Sequence, residues 1–214
     1  MRNFLLVLMI SLISIVAFAQ DNVGINFAQT FSGFKFKDSQ GNEDLNLKRD
    51  IKFSYAMNYE KIFKSGIYIK PELGFKNLGA KSKINMLNIE WDLHYFDINI
   101  GGGYIYQKYR LKPYLGVGFY YAFLYKGDQF IGSDSYDIMN EKIISKSDYG
   151  LNLNVGLHYD YSDYSGVFIE YKNSVGLKQL DNNINGGSKE LHNLAYSIRI
   201  GLTFNIANKK SKRN

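Results

Sequence analysis

Apolar and polar residues alternate one for one over long stretches of this chain, the period of strands whose two faces meet different surroundings. Ile51, Phe53, Tyr55, Met57 and Tyr59 alternate with Lys52, Ser54, Ala56, Asn58 and Glu60. The same pattern runs from Tyr149 to Tyr161, from Leu194 to Ile206, from Pro113 to Tyr125, from Val167 to Lys172 and from Ile67 to Phe75. Weaker versions cover Val23 to Phe36 and Ile84 to Tyr106. The pattern predicts eight strands and no helix. Two of them change phase, where Phe31 gives way to Phe34 and Phe36, and where Trp91, Leu93 and Tyr95 give way to Phe96, Ile98 and Ile100. Such a shift predicts a β-bulge or the level at which a strand leaves one environment for another.

The connections alternate in length. Lys64-Ser65-Gly66, Gln107 to Lys112 and Ser162 to Ser165 are of hairpin length. Lys37 to Asp50, Lys76 to Lys83, Lys126 to Ser147 and Lys178 to Glu190 are longer and polar. Both chain ends then fall on the short-turn side. This is the layout of an all-β, eight-stranded antiparallel up-and-down transmembrane β-barrel, with short turns toward the periplasm and long loops outside.

The two faces indicate which way the barrel is turned. Leu, Ile, Phe and Tyr fill the apolar face, whereas Gly, Ala, Ser and Asn recur on the other, where a small barrel has little room. A soluble lipocalin-like binder has the opposite arrangement and is the alternative if the apolar set faces inward. Aromatic residues also gather at both ends of the strands. Tyr59, Tyr104, Tyr106, Tyr159, Tyr161 and Phe204 lie toward the short turns, and Phe53, Phe75, Trp91, Phe123, Tyr125 and Tyr149 toward the long loops, as in the two girdles of a membrane barrel.

The N-terminus adds an export signal. A cationic start, an apolar run from Phe4 to Val16 and the small-residue pattern Ala17-Phe18-Ala19 predict a secretory signal peptide over 1–19, too short for a spanning helix. The barrel is expected over 20–206, followed by a basic periplasmic tail over 207–214, and the location expected is the outer membrane. The 214 residues carry 26 Lys+Arg against 20 Asp+Glu, with 20 Gly, 2 Pro and no Cys. The missing cysteines exclude a disulfide scaffold, a thiolate metal site and a Cys nucleophile. Export makes nucleic acid an implausible partner for the tail residues Lys209 to Arg213.

The face opposite the apolar one carries Lys52, Glu60, Lys70, Glu72, Glu90, Asp92, His94, His158, Asp160, Glu170, Lys172 and Arg199. Both signs are present, so these side chains are expected to pair across the lumen as a plug, since a charge inside a narrow barrel is costly unless paired or wet. A pore or small-solute site lined by the same groups is the sharper alternative. No phosphate loop, His-x-x-x-His pair or Gly-x-Ser-x-Gly motif occurs, and His94 and His158 are expected to point inward, away from any lipid substrate. No enzyme and no cofactor are expected. Asp134-Ser135-Tyr136-Asp137 with Glu141 lacks the ligand spacing of a calcium loop and reads as a solvated loop.

The stretch from Trp91 through Tyr104-Ile105-Tyr106 to Lys112-Pro113-Tyr114-Leu115-Gly116-Val117-Gly118, with the closing Ile200-Gly201-Leu202-Thr203-Phe204, resembles the outer membrane protein β-barrel domain group, the PorT-like and OmpA-type small barrels of Bacteroidota. The resemblance covers nearly all of the chain after the signal. It implies an integral outer-membrane barrel, in contact with outer-membrane lipid and inserted by the barrel assembly machinery. A monomer is expected, with a structural or surface-interaction role in which the long loops meet an extracellular ligand or protein. Barrels of this kind commonly end on an aromatic residue, whereas here ten residues follow Phe204.

Overall fold

A computed structural model of the chain describes residues 20–37, 40–42, 47–84, 87–139, 144–181 and 190–206. The expected signal peptide, the basic tail and Glu141 lie outside the described residues. The strands are β1 (Gln20–Lys37), β2 (Lys48–Ile62), β3 (Ile67–Ile84), β4 (Leu87–Ile105), β5 (Leu111–Ile131), β6 (Asp134–Asp137), β7 (Ser147–Asp160), β8 (Ser165–Gly176) and β9 (Glu190–Asn205). Eight of them form a closed antiparallel ring, β1-β2-β3-β4-β5-β7-β8-β9, in which β9 returns to pair with β1. The short β6 folds back on the end of β5. Closure leaves no unpaired strand edge in the wall, which a membrane demands of any strand that crosses it.

The apolar face points outward. Met57 is 68% exposed, Val117 64% and Ile100 62%, whereas their neighbours Asn58, Gly116 and Asn99 are buried inside the ring. Each such side chain left in water forgoes roughly 1.5–3 kcal/mol relative to burial, so the belt is stable only against lipid. Aromatic pairs line it, Phe27 on Phe53 and Phe31 on Tyr196 being stacked with ring centres 5.6 and 4.8 Å apart.

The short-turn end matches the expected hairpins. Between β2 and β3 the N–H of Phe63 bonds the carbonyl of Ile67 (2.8 Å), and Gly66 takes φ 86°, a conformation open to glycine because it lacks Cβ. The long-loop end differs from expectation. The segment Lys76 to Lys83, read as a loop, is the continuation of β3, paired with β4 as far as Ile84 opposite Leu87. Likewise β5 continues to Ile131 and, with β6, occupies much of the segment expected as the Lys126 to Ser147 loop. Polarity there marks strands rising out of lipid into water, not turns.

The phase shifts have the same origin. β1 runs in unbroken register against β9 from Asn22 opposite Asn205 to Lys37 opposite Glu190, so no bulge lies at Phe31. Phe34 instead turns inward and meets Trp91 edge-on, ring centres 5.8 Å apart. Trp91 is therefore part of the interior rather than of the outer girdle. β4 also keeps register with β3. The bulge at that level is in β5, where His94 faces Lys126 and Tyr95 faces Leu124, leaving Tyr125 as the extra residue. A second break lies in β2 between Arg49 and Ser54. Through it β3 reaches β1, and Ser32 Oγ accepts from the N–H of Gly79 (2.8 Å) and donates to its carbonyl (2.9 Å).

Candidate functional site

The lumen is filled in layers. Nearest the short turns, Ile62, Tyr68, Ile105 and Tyr114 form a small apolar cluster. Beside it His158 Nε2 lies 3.0 Å from Thr203 Oγ1 and 3.4 Å from Asp160 Oδ1, and Asp160 also takes Lys112. Asn22 donates to Glu60 at 3.3 Å. Asn22, His158, Asp160 and Thr203 border a polar hollow of about 150 Å³ that also involves Arg110 and Asp163.

The central layer is ionic. Glu170 of β8 and Arg199 of β9 are cross-strand partners, and Arg199 donates to Glu170 Oε1 at 2.6 Å, to Asn26 Oδ1 at 2.7 Å and to Glu72. Lys172 pairs with Glu72 (3.2 Å) and Lys70 with Glu170 (3.3 Å). These two bridges join β8 to β3, which stand on opposite sides of the eight-membered ring, so each spans the lumen. Tyr114 donates to the second oxygen of Glu170 at 3.0 Å, and the Lys70 ammonium sits 4.7 Å from the Phe168 ring centre. Glu170 is 1% exposed, and Glu72 and Arg199 4%. At that burial an ion pair is sustained by its complete set of partners.

Above it Asn152 donates to Asn99 (2.8 Å) and accepts from Ser174 (2.7 Å), and Thr30 is 3.0 Å from Ser197. Asp148 accepts from Tyr120 (2.9 Å) and Asn193 (2.8 Å), while the Lys76 ammonium rests 3.7 Å from the Tyr120 ring centre and 3.8 Å from Asp97. A void of about 40 Å³, bordered by Glu72, Lys76, Asp97, Lys172 and Ser197, separates the ionic layer from the next. That is room for a water molecule or a few. The long-loop end is closed by Leu78, Leu93, Tyr95, Leu124, Ile138, Ile144 and Leu180, with Phe34, Trp91 and Leu191 packed against them.

The twelve polar residues singled out in the sequence thus separate into groups. Lys70, Glu72, Glu170, Lys172 and Arg199 meet in the central layer; Glu60, His158 and Asp160 lie one layer toward the short turns. Lys52, Glu90, Asp92 and His94 belong to neither. Glu90, Asp92 and His94 occupy the same face of β4 as the outward Phe96, Ile98 and Ile100, above the lipid belt. Lys52 passes through the break in β2 to reach them, bonding Asp50 (2.9 Å), Asp92 (2.9 Å) and Glu90 (3.2 Å), while Lys81 bonds Asp50 at 2.9 Å. Burial works against the Asp92 carboxylate, but the Lys52 and His94 partners outweigh it and hold its pKa below the ordinary value. His94 engages Asn77 through Nδ1 (2.9 Å) and Asp92 through Nε2 (3.1 Å), its ring 6.0 Å from Tyr125.

Asn26, Lys76, Asp97, Lys112, Tyr114, Tyr120 and Asp148 are lumen residues beyond that set. Lys76 and Lys112 lie in segments expected as loops, and Asp97 lies on the inward face of β4 opposite the outward Phe96 and Ile98. Tyr114 and Tyr120 carry the clearest signal, since they interrupt a run of Gly and Ala on the inward face of β5.

A closed eight-stranded ring with a lipid-compatible exterior and a polar, mostly ion-paired interior defines the class: a transmembrane barrel of the outer membrane. The family model for the outer membrane protein β-barrel domain matches residues 18–182, from β1 through β8, and the chain belongs to that family. No curated protein sequence matches the chain. Among solved structures it is similar to Neisserial surface protein A (12% identity, 87% of this chain and 97% of that chain, TM-score 0.48). It is also similar to Ail of Yersinia pestis, solved with the heparin analogue sucrose octasulfate (13%, 87% and 99%, 0.44), and to OprG of Pseudomonas aeruginosa (12%, 89% and 97%, 0.44). At such identities the likeness is one of fold alone.

Proposed function

We propose that this protein is a monomeric, non-enzymatic outer-membrane barrel with a plugged lumen, whose role is structural or lies in surface interaction through its long-loop end. The observation that carries this reading is Arg199 held between Glu72 and Glu170 across the lumen, with an apolar layer on either side. A conducting path would have to part these pairs, and breaking a buried pair typically costs about 3–5 kcal/mol. The non-enzymatic reading is supported by His94 on the outward face of β4, because Asn77 and Asp92 already take both its ring nitrogens. The same reading includes cleavage of the 1–19 signal, insertion by the barrel assembly machinery, outer-membrane lipid around the wall and kinship with the PorT-like barrels of Bacteroidota.

In planar lipid bilayers the purified protein is expected to show no steady open level in single-channel recordings. A stable conductance would overturn the plug and favour a narrow channel for small solutes. Orientation is tested on intact cells with a membrane-impermeant thiol reagent, free of background because the chain has no cysteine. Ser133→Cys, in the turn between β5 and β6, is expected to be labelled, and Asp163→Cys, between β7 and β8, is expected to react only after lysis.

A further inference from the structure

Among the described residues, charge is unevenly distributed around the long-loop rim. On the arc formed by β1 and β2, Lys35, Lys37, Lys48 and Arg49 stand above the lipid belt, and Glu190 of the adjoining β9 is the carboxylate within reach, 2.9 Å from Lys35 and 3.2 Å from Lys37. Among the described residues no carboxylate comes within ion-pair distance of Lys48 or Arg49, both exposed. Further round the ring, β4, β5 and β6 carry Glu90, Asp92, Asp128, Asp134 and Asp137, of which Glu90 and Asp92 are paired with Lys52 and Asp128 with Lys126. Asp92, Asp128 and Asp137 are direct cross-strand neighbours.

The basic arc is built on the aromatic girdle. The Arg49 guanidinium lies 4.9 Å from the ring centre of Tyr196, which stacks on Phe31 and, at 6.3 Å, on Tyr171. Lys35 and Lys37 continue the outward face of β1 that carries Phe27 and Phe31 lower down. Gly33 leaves the space in which the Arg49 stem runs, since a Cβ there would come 3.2 Å from Arg49 Cγ. A shallow hollow of about 340 Å³ opens between Gly33, Leu47, Lys48, Arg49 and Leu194. Apolar and aromatic side chains below and cations above, at the level where a girdle marks the edge of the hydrocarbon, match a lipid whose acyl chains lie on the wall and whose phosphate lies at the rim.

We propose that the arc of Lys35, Lys37, Lys48 and Arg49 binds the phosphate groups of a phosphorylated glycolipid of the outer leaflet, so that this glycolipid is held preferentially on this side of the barrel. A guanidinium fixed on an aromatic face presents its N–H fork to a phosphate with little further ordering. The proposal rests on the outward orientation of the long-loop end.

The test uses the full-length barrel in neutral phosphatidylcholine nanodiscs, with fluorescent lipopolysaccharide as the probe. Wild type is expected to bind it about tenfold or more tightly than its dephosphorylated form, the scale of two or so cation contacts. Lys35→Glu with Arg49→Glu is expected to abolish the preference while the protein still shifts on heating in detergent gels, and Lys35→Gln with Arg49→Gln serves if charge reversal impairs folding. Asp128→Asn with Asp137→Asn is expected to leave the preference unchanged. Equal binding of the dephosphorylated lipid, or an equal loss in the acidic-arc variant, overturns the proposal. Phosphatidylglycerol competing as well as lipopolysaccharide reduces the arc to general attraction for anionic lipid, and competition by millimolar inorganic phosphate makes a free anion the ligand; both reject the glycolipid. If Ser133→Cys is not labelled on intact cells, the orientation has failed and the proposal with it; labelling without phosphate preference rejects the proposal alone.

Discussion

Replacing Arg199 by alanine is expected to lower the stability of the folded barrel by about 3–5 kcal/mol, the range seen when one partner of a buried ion pair is removed. The loss exceeds that of a surface pair because Arg199 serves two carboxylates at once, Glu72 from β3 and Glu170 from β8, and both are buried. Lys172 and Lys70 remain as partners of Glu72 and Glu170 and limit the damage. The measurement is the urea midpoint for loss of the heat-shiftable band in lipid vesicles. Export is expected to continue, since no part of that layer lies in the proposed signal over 1–19. Wild-type unfolding in the variant would show that the ionic layer does not support the wall.

Gly116→Val is expected to be the second most damaging change, about 1–3 kcal/mol through overpacking. A Cβ at Gly116 collides with the Tyr68 hydroxyl and comes to 2.9 Å from the Gly102 carbonyl. Tyr68, 2% exposed, belongs to the apolar layer near the short turns and meets Tyr114 edge-on at 6.1 Å. Tyr68→Ala removes the larger collision and leaves the Gly102 contact, so the double variant is expected to lose less than the sum of the two single losses. A double-mutant cycle on the same urea midpoints reads the coupling. Purely additive effects would show that the crowding at Gly116 is relieved by movement of the wall.

How legible the fold was depended on how long the two surroundings of a strand stayed constant. Through the lipid belt, lipid lies outside and crowded polar groups inside, so strict alternation identified strands such as β2, β7 and β9 and their outward faces. Above the belt the surroundings exchange: water lies outside β4 at Asp92 and His94, and an apolar cluster lies inside at Leu93 and Tyr95. The alternation there keeps its period and reverses its meaning. That is why Trp91 read as a girdle residue, His94 as a lumen residue and Lys76 to Lys83 as a loop. Local pattern does not mark the height at which lipid gives way to water.

The sequence by itself determined the number of wall strands, their antiparallel order, the side on which the described ends lie and the outward turn of the apolar face, because each follows from periodicity and turn length, which are local. The twelve polar candidates were legible only as one set of opposite charges on one face, of which eight lie in the lumen and Lys70, Glu72, Glu170, Lys172 and Arg199 meet in its central layer. Only the tertiary structure decided who pairs with whom, since Lys172 and Glu72 are separated by 100 residues and meet only when the ring closes. It also decided that Lys52 leaves the lumen, because the break in β2 between Arg49 and Ser54 opens a gap toward Asp92 that no residue type announces. The segregation of basic and acidic rims belongs to the same class. It joins β1 and β2 against β4, β5 and β6 across a circle, and a circle exists only after the last strand has paired with the first.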